Sequence, residues 1–440
     1  MPALTPGPSH PARRTVLGAL VATAAVPGLG ALPAGAAAAT PSTRRPVAAG
    51  TKVLAPSGAW CWFGDPRAVH HRGTYRRTYV GYITAAGDIN VTQYDHDTGR
   101  STTSTLISGF QIDDHNNPSL VIRYGRVVVF FSGHGGDKMY YRRSVAVEDI
   151  GQGWEPLKTV PTNIAGGWGY TYPNPIELAA EGKKLYLFWR GGNANPTYST
   201  TTGGDLWTPA QSLIDVPGQR PYVKIASNDT DTIHFAFTDG HPRNVDTGIY
   251  YMYYRNGSLF RADGSRIGPL GTPVTPDQTT CVYDFASGGG KAWIHDIADD
   301  GDGRPVLTYA VFPTDTDHRY HYARFDGSAF TDHELTAAGD SISEDTSEPN
   351  YSGGITLDHD DPSVVLLSRE IGTVHEIERW TTPDHGATWH KKAITAASGE
   401  PQVRPISPRG LPSGEPLGVL WMAGRYPSYT TYQTRIMATT

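Results

Sequence analysis

Beyond residue 50 the chain is built of short runs in which apolar and polar positions alternate, each bounded within a few residues by Gly, Pro, Asn or Asp. Ile249-Tyr250-Tyr251-Met252-Tyr253-Tyr254 is one such run and reads as a strand. No window longer than about a dozen residues keeps apolar positions at i, i+3, i+4 and i+7 free of Gly and Pro, so helix is predicted only in short pieces such as 176–182. Trp60-Cys61-Trp62 reads as a buried strand. One module recurs: an apolar run, a polar or glycine-rich loop, then a second run rich in Tyr and Arg. It occupies 79–94, 127–144, 185–198, 233–255, 306–325, 364–380 and 417–437, seven copies in all. The spacing of roughly 50 to 70 residues suits four strands plus variable loops. The expected fold is all-β, a seven-bladed β-propeller, with 40–440 forming a single catalytic domain whose closure removes exposed sheet edges.

Thr382-Pro383-Asp384-His385-Gly386-Ala387-Thr388-Trp389 fits the Asp-box pattern Ser/Thr-x-Asp-x-Gly-x-Thr-Trp at every specified position, and a degenerate copy spans 200–207. The Asp closes a tight turn and the Trp packs between sheets, so the motif marks an outer blade hairpin and says little about chemistry.

Composition supports the all-β reading: among 440 residues there are 50 Gly, 34 Pro, 24 Tyr and 10 Trp, and only 18% are charged. A formal charge of -6 offers no basic surface for a phosphate backbone, so nucleic acid is not an expected partner. At the N-terminus, Arg13-Arg14 precedes a weakly apolar stretch and a small-residue region ending near residue 39. Residues 1–39 therefore read as a twin-arginine-like export signal, and the mature chain is expected to be secreted and monomeric. No later stretch approaches the roughly 18 apolar residues of a membrane span, so no membrane association is expected. The two cysteines, Cys61 and Cys281, define no disulfide framework.

The candidate chemistry begins with Asp113-Asp114-His115-Asn116-Asn117-Pro118 and Ser132-Gly133-His134-Gly135, two histidines in turn contexts about one hairpin apart. Histidine exchanges protons near neutrality, and such a pair could flank one substrate atom. Tyr170-Thr171-Tyr172-Pro173, Trp189-Arg190-Gly191-Gly192, Arg220-Pro221-Tyr222-Val223-Lys224 and Thr238-Asp239-Gly240-His241-Pro242-Arg243 follow at comparable positions of successive modules. On a propeller these converge around the axis as a cationic, tyrosine-rich mouth suited to an anionic sugar. The glycines after His134 and Arg190 are expected to let a ligand approach the backbone.

Together with Gly58-Ala59-Trp60-Cys61-Trp62-Phe63-Gly64-Asp65-Pro66-Arg67, these motifs resemble in order and spacing the secreted propeller polysaccharide lyases that include ulvan lyases and rhamnosyl-glucuronate lyases. The resemblance implies β-elimination at a 4-linked glucuronate and an anionic polysaccharide as partner. It implies His115, His134, Tyr172 and Arg190 as the catalytic set. Arg190 is expected on the carboxylate and Tyr172 as the base, with the histidines as alternative acid and base or as orienting groups. Arg220, Tyr222, Lys224, His241, Arg243 and Asn116 are the expected substrate-binding residues. No organic cofactor is needed. A structural metal, zinc or calcium, has Cys281, His295 and His321, or His318 in place of His321, as candidate ligands. The acidic stretch 296–303 lacks the glutamate of a calcium loop and reads as a β-turn. Two other readings remain: a sialidase-like hydrolase, for which Arg67, Arg190 and Arg404 are the available arginines, and a noncatalytic sugar-binding propeller.

Overall fold

The computed structural model describes residues 50–440, so the expected export segment lies outside the described residues. Seven antiparallel sheets follow one another along the chain, one for each sequence module. The first holds Ala68–Arg72, Arg76–Ile83, Ile89–Asp95 and Ser101–Ile107 in order from axis to rim, and the next five repeat that order, the second and fourth sheets with additions at the rim. The seventh is composite: Gln402–Ile406, Leu420–Ser428 and Thr431–Thr439 are completed by the N-terminal strand Thr51–Ala55, which pairs antiparallel with Thr431–Thr439. The chain thus closes its own ring.

Burial follows radius. Second strands, covered on both faces by neighbouring blades, are continuous apolar runs such as Arg126–Ser132 and Lys184–Arg190. Rim strands such as His390–Ala393 are wholly exposed and carry charge, which discourages pairing with another edge. Both Asp-box segments connect third to outermost strands, in the sixth and third sheets. Asp384 accepts from Thr388 N at 2.7 Å and from Thr388 Oγ1 at 2.7 Å. Trp389 then packs edge-on against Tyr322 of the neighbouring blade, ring centroids 5.1 Å apart. In the degenerate copy Thr201 takes over the turn, its Oγ1 accepting from Gly204 N at 2.9 Å, and Trp207 reaches Phe130 of the neighbouring blade at 5.9 Å.

Trp60-Cys61-Trp62 is buried as expected but forms no strand; only Ala59 makes a single bridge, to Ile83. Residues 60–67 cross the axis instead, and their backbone is satisfied one blade at a time. Cys61 N donates to Asn117 Oδ1 at 3.1 Å, Asn174 Nδ2 to the Phe63 carbonyl at 2.8 Å, and Lys224 Nζ to the Trp62 carbonyl at 2.5 Å. Arg404 Nη1 donates to the Trp60 carbonyl at 2.7 Å, while Trp62 stacks on His295 with centroids 5.1 Å apart. An irregular segment can be buried here because each of these polar groups finds a partner.

Three smaller expectations are resolved. The short helix at 176–182 is a strand through Leu178 followed by one 3-10 turn, Ala179–Glu181. Cys61 and Cys281 are both free, the first buried and the second exposed. Asp299 Oδ1 accepts from Gly301 N at 2.7 Å and from Gly303 N at 3.3 Å, so the acidic stretch is the end of the strand Lys291–Asp299 followed by a turn.

Candidate active site

Inner strands begin on one face of the ring, and the residues just before or at their starts meet at the axis. His115 lies in the 3-10 turn Asp114–Asn116, whose cap Asp113 accepts from His115 N at 2.9 Å. His134 follows the adjacent strand Arg126–Ser132. Asp113 joins the two: Oδ1 lies 2.6 Å from His115 Nδ1 and Oδ2 lies 2.9 Å from His134 Nδ1. The imidazoles stack, centroids 4.0 Å apart and 7° from parallel.

The two rings differ in charge. Burial opposes protonation of His115, but Asp113, with Asp114 Oδ1 a further 3.0 Å from Nδ1, outweighs it and raises the pKa to about 9. His134 is lowered to about 4, by burial and by the neighbouring His115 charge, against the pull of Asp113. Between those values His115 is an imidazolium and His134 a neutral imidazole. Because Asp113 faces His134 Nδ1, the proton sits there and Nε2 carries the lone pair.

Tyr172 packs its ring 5.5 Å from that of His115. Its φ is 61° and the strand register shifts between Thr171 and Asn174, a left-handed conformation held at the site. Burial pushes its pKa well above that of an ordinary tyrosine, and Arg190 offsets this only in part. Arg190, at the end of Lys184–Arg190, holds its guanidinium carbon 4.8 Å from the centre of the Tyr172 ring. It is buried, 4% exposed, and its contacts are long and neutral: Tyr222 Oη and Thr171 Oγ1, each at 3.4 Å. Its Nε has no partner, and it forms no salt bridge among the described residues. A buried cation without a counter-ion is costly unless a ligand supplies one.

The four expected catalytic residues are therefore brought together. Of the expected binding residues, Tyr222 and His241 continue the cluster, rings 5.5 Å apart, and Arg220 lies beside it, 5.5 Å from the centre of the Trp168 ring. Three others are engaged internally. Lys224 is fully enclosed against Asp65 in the axial segment, and Arg243 pairs with Glu348. Asn116 is buried, donating to Gln111 Oε1 at 3.1 Å.

The proposed metal ligands do not assemble. His295 belongs to the inner strand of the fifth blade and is closed in against Trp62, whereas His321 lies on that blade's third strand and pairs with Asp332 at 3.1 Å. His318 bonds the Pro349 carbonyl at 2.9 Å, and Cys281 is exposed. Strand position separates them. Among the described residues, the group whose donor atoms lie within 4.8 Å of one another is Asp113, His115 and His134, and there both Nδ1 atoms already face the Asp113 carboxylate.

Other site residues carry no motif of their own. Tyr351 puts its hydroxyl 3.5 Å from His115 Nε2, and Tyr429 sets its ring edge-on to His115 at 5.0 Å. Tyr351 precedes an inner strand as Tyr172 and Tyr222 begin theirs, so relative position in the module was the signal available.

A family model described as "BNR repeat-containing family member" matches residues 77–338, more than half of the chain. The chain belongs to the BNR repeat-containing family. Its fold is similar to that of an ulvan lyase described as a new family of polysaccharide lyase, PL25, with a TM-score of 0.65 at 17% identity, covering 87% of this chain and 94% of that one. It is also similar to the polysaccharide lyase Uly1, with a TM-score of 0.54 at 12% identity over 87% and 91% of the two chains. At these identities the likeness is one of fold. None of the curated proteins matches this member of the family. Among the described residues no helix is long and apolar enough to cross a membrane.

Proposed function

We propose that this protein is a polysaccharide lyase that cleaves the bond to O4 of a glucuronate by β-elimination, with ulvan or rhamnosyl-glucuronate side chains such as those of gum arabic as substrate. We also propose that it acts outside the cell after export by the twin-arginine route, on the strength of Arg13-Arg14 and the stretch that follows. The observation that carries the activity is Arg190: a buried guanidinium with no carboxylate partner, beside Tyr172 and a carboxylate-linked histidine pair.

In this reading the substrate carboxylate pairs with Arg190, which stabilises the second negative charge that builds up when the C5 proton leaves. His134 Nε2 takes that proton. The C5–H electrons become the C4=C5 double bond, the C4–O4 bond breaks, and the Tyr172 hydroxyl gives its proton to the departing O4. Tyr172 suits the acid's part better than the base's because burial disfavours its phenolate. The His115 cation adds positive charge beside the developing dianion. Hydrolysis of sialidase type is less well supported, since Arg67 pairs with Asp65 at 2.9 Å and Arg404 with Asp114 and Tyr426, leaving Arg190 without two companions.

Incubation with ulvan or gum arabic should yield products absorbing in the ultraviolet as 4,5-unsaturated uronates. Products without that chromophore would mean hydrolysis, and no product would mean binding alone. Tyr172→Phe should lower kcat by about 10²- to 10⁴-fold while substrate still binds.

A further inference from the structure

Trp168 stands 44% exposed beside the site. Two guanidiniums lie against its ring, Arg190 at 5.3 Å and Arg220 at 5.5 Å from the centroid. It is thus the solvent-facing neighbour of the unpaired arginine.

Its mounting is rigid. Trp168 N donates to the Gly192 carbonyl at 2.9 Å, and Tyr170 N donates to the Gly136 carbonyl at 2.7 Å. The glycines at these crossings permit backbone-to-backbone contact: a Cβ at Gly166 would meet Gly192 O at 1.9 Å, at Gly169 it would meet Gly136 O at 2.0 Å, and at Gly192 it would meet Ile164 O at 2.1 Å. Three loops, those after His134 and Arg190 and the one carrying Trp168, are locked together. Gly192 therefore seats this loop and does not open the backbone to a ligand, whereas a Cβ at Gly135 would come no nearer than 3.9 Å to it. A large indole left half in water on so fixed a mount forgoes the burial that usually holds a tryptophan.

We propose that Trp168 is a stacking platform for the sugar adjoining the uronate, taking the C–H face of an uncharged pyranose while Arg190 takes the uronate carboxylate. The inference rests on the elimination reading for the identity of the neighbouring sugar. The arrangement supports it chemically: guanidiniums against the indole supply the anion site, and the exposed indole surface next to them is apolar and flat, complementary to a sugar's C–H face. Trp168 would make the site select a uronate with a neutral neighbour over a free uronate or a run of uronates.

Calorimetric titration in the Tyr172→Phe background, which slows turnover, tests this with two ligands: free glucuronate and unsulfated rhamnosyl-glucuronate. Adding Trp168→Ala should weaken rhamnosyl-glucuronate binding by about tenfold and leave glucuronate binding unchanged, and Trp168→Phe should recover affinity to within about threefold. Equal weakening of both ligands would show that the ring serves only to hold the arginines, and unchanged binding of both would show no platform; either overturns the proposal. If the protein with Trp168 intact binds no uronate, the elimination reading fails separately, and neutral xylo-, manno- and galacto-oligosaccharides become the probes. Trp168-dependent binding of any of them supports the platform, whereas Trp168-independent binding or none overturns it.

Discussion

Asp113 gives each carboxylate oxygen to a different imidazole, at 2.6 and 2.9 Å, and so determines which histidine is charged and which offers a lone pair. Asp113→Asn keeps the shape but leaves one acceptor for two N–H groups. The expected result is a fall in kcat of about 10³-fold with KM little changed, the behaviour of a base that loses its orienting carboxylate. The pH profile should move as well. His115 is raised to about 9, so its cation is present below the ordinary histidine value near 6.5 and is lost as pH rises through about 9. With Asp113 neutral the alkaline limb should shift to lower pH, which kcat measured across that range would show; an unmoved limb would remove His115 from the reaction. The histidines, Tyr172 and Arg190 were legible because each stands in a distinctive local run. Asp113 stood in the same run, but its bridging role depends on His134, 21 positions along the chain, and nothing local reveals it. Lys224 was misread for the complementary reason: its strand pointed it at the axis, where the counter-ion Asp65 comes from a segment 159 positions away.

The blade hairpins were the most readable elements, since both the turn and its packing residue belong to one short motif. Thr382 to Trp389 forms its turn through local hydrogen bonds, and it meets the neighbouring blade through the Trp389 ring on Tyr322 and through Gly386, packed against Tyr322 and His333. Trp389→Ala should therefore destabilise by about 2 kcal/mol, less than a fully enclosed indole would cost, because the ring is only half-buried. A denaturant midpoint lowered without loss of kcat is the expected result. Loss of kcat in folded protein would mean that blade packing at the rim is coupled to the axis. The loops were less legible. A glycine beside a catalytic residue has the same sequence signature whether its missing Cβ makes room for a substrate or for another loop, and at Gly192 it is the Trp168 loop that fills the space.

At the scale of the molecule, repetition made the seven blades visible, since each module repeats the same alternation, whereas the axial segment occurs once and has no copy to compare. Its apolar aromatics look like a strand because both are buried; what separates them is where the backbone bonds go. Lys224 concentrates that dependence: fully enclosed, it donates to the Trp62 carbonyl at 2.5 Å and pairs with Asp65, and Asp296 lies 3.9 Å from its ammonium. Lys224→Met would leave Asp65 to Arg67 alone and strand a buried carbonyl. Breaking such a pair costs about 3 to 5 kcal/mol, most of it the penalty of the charge left behind. If the segment holds the blades in register, the loss should show as one cooperative unfolding transition at lower denaturant. The folded fraction should keep its kcat, because Lys224 touches none of the groups proposed to move protons. Lys224→Met combined with Asp65→Asn should lower the stability further, since the buried Arg67 then loses its 2.9 Å ion pair with Asp65. Recovery in the double variant would instead mean that the Asp65 charge, even beside Arg67, is the larger cost.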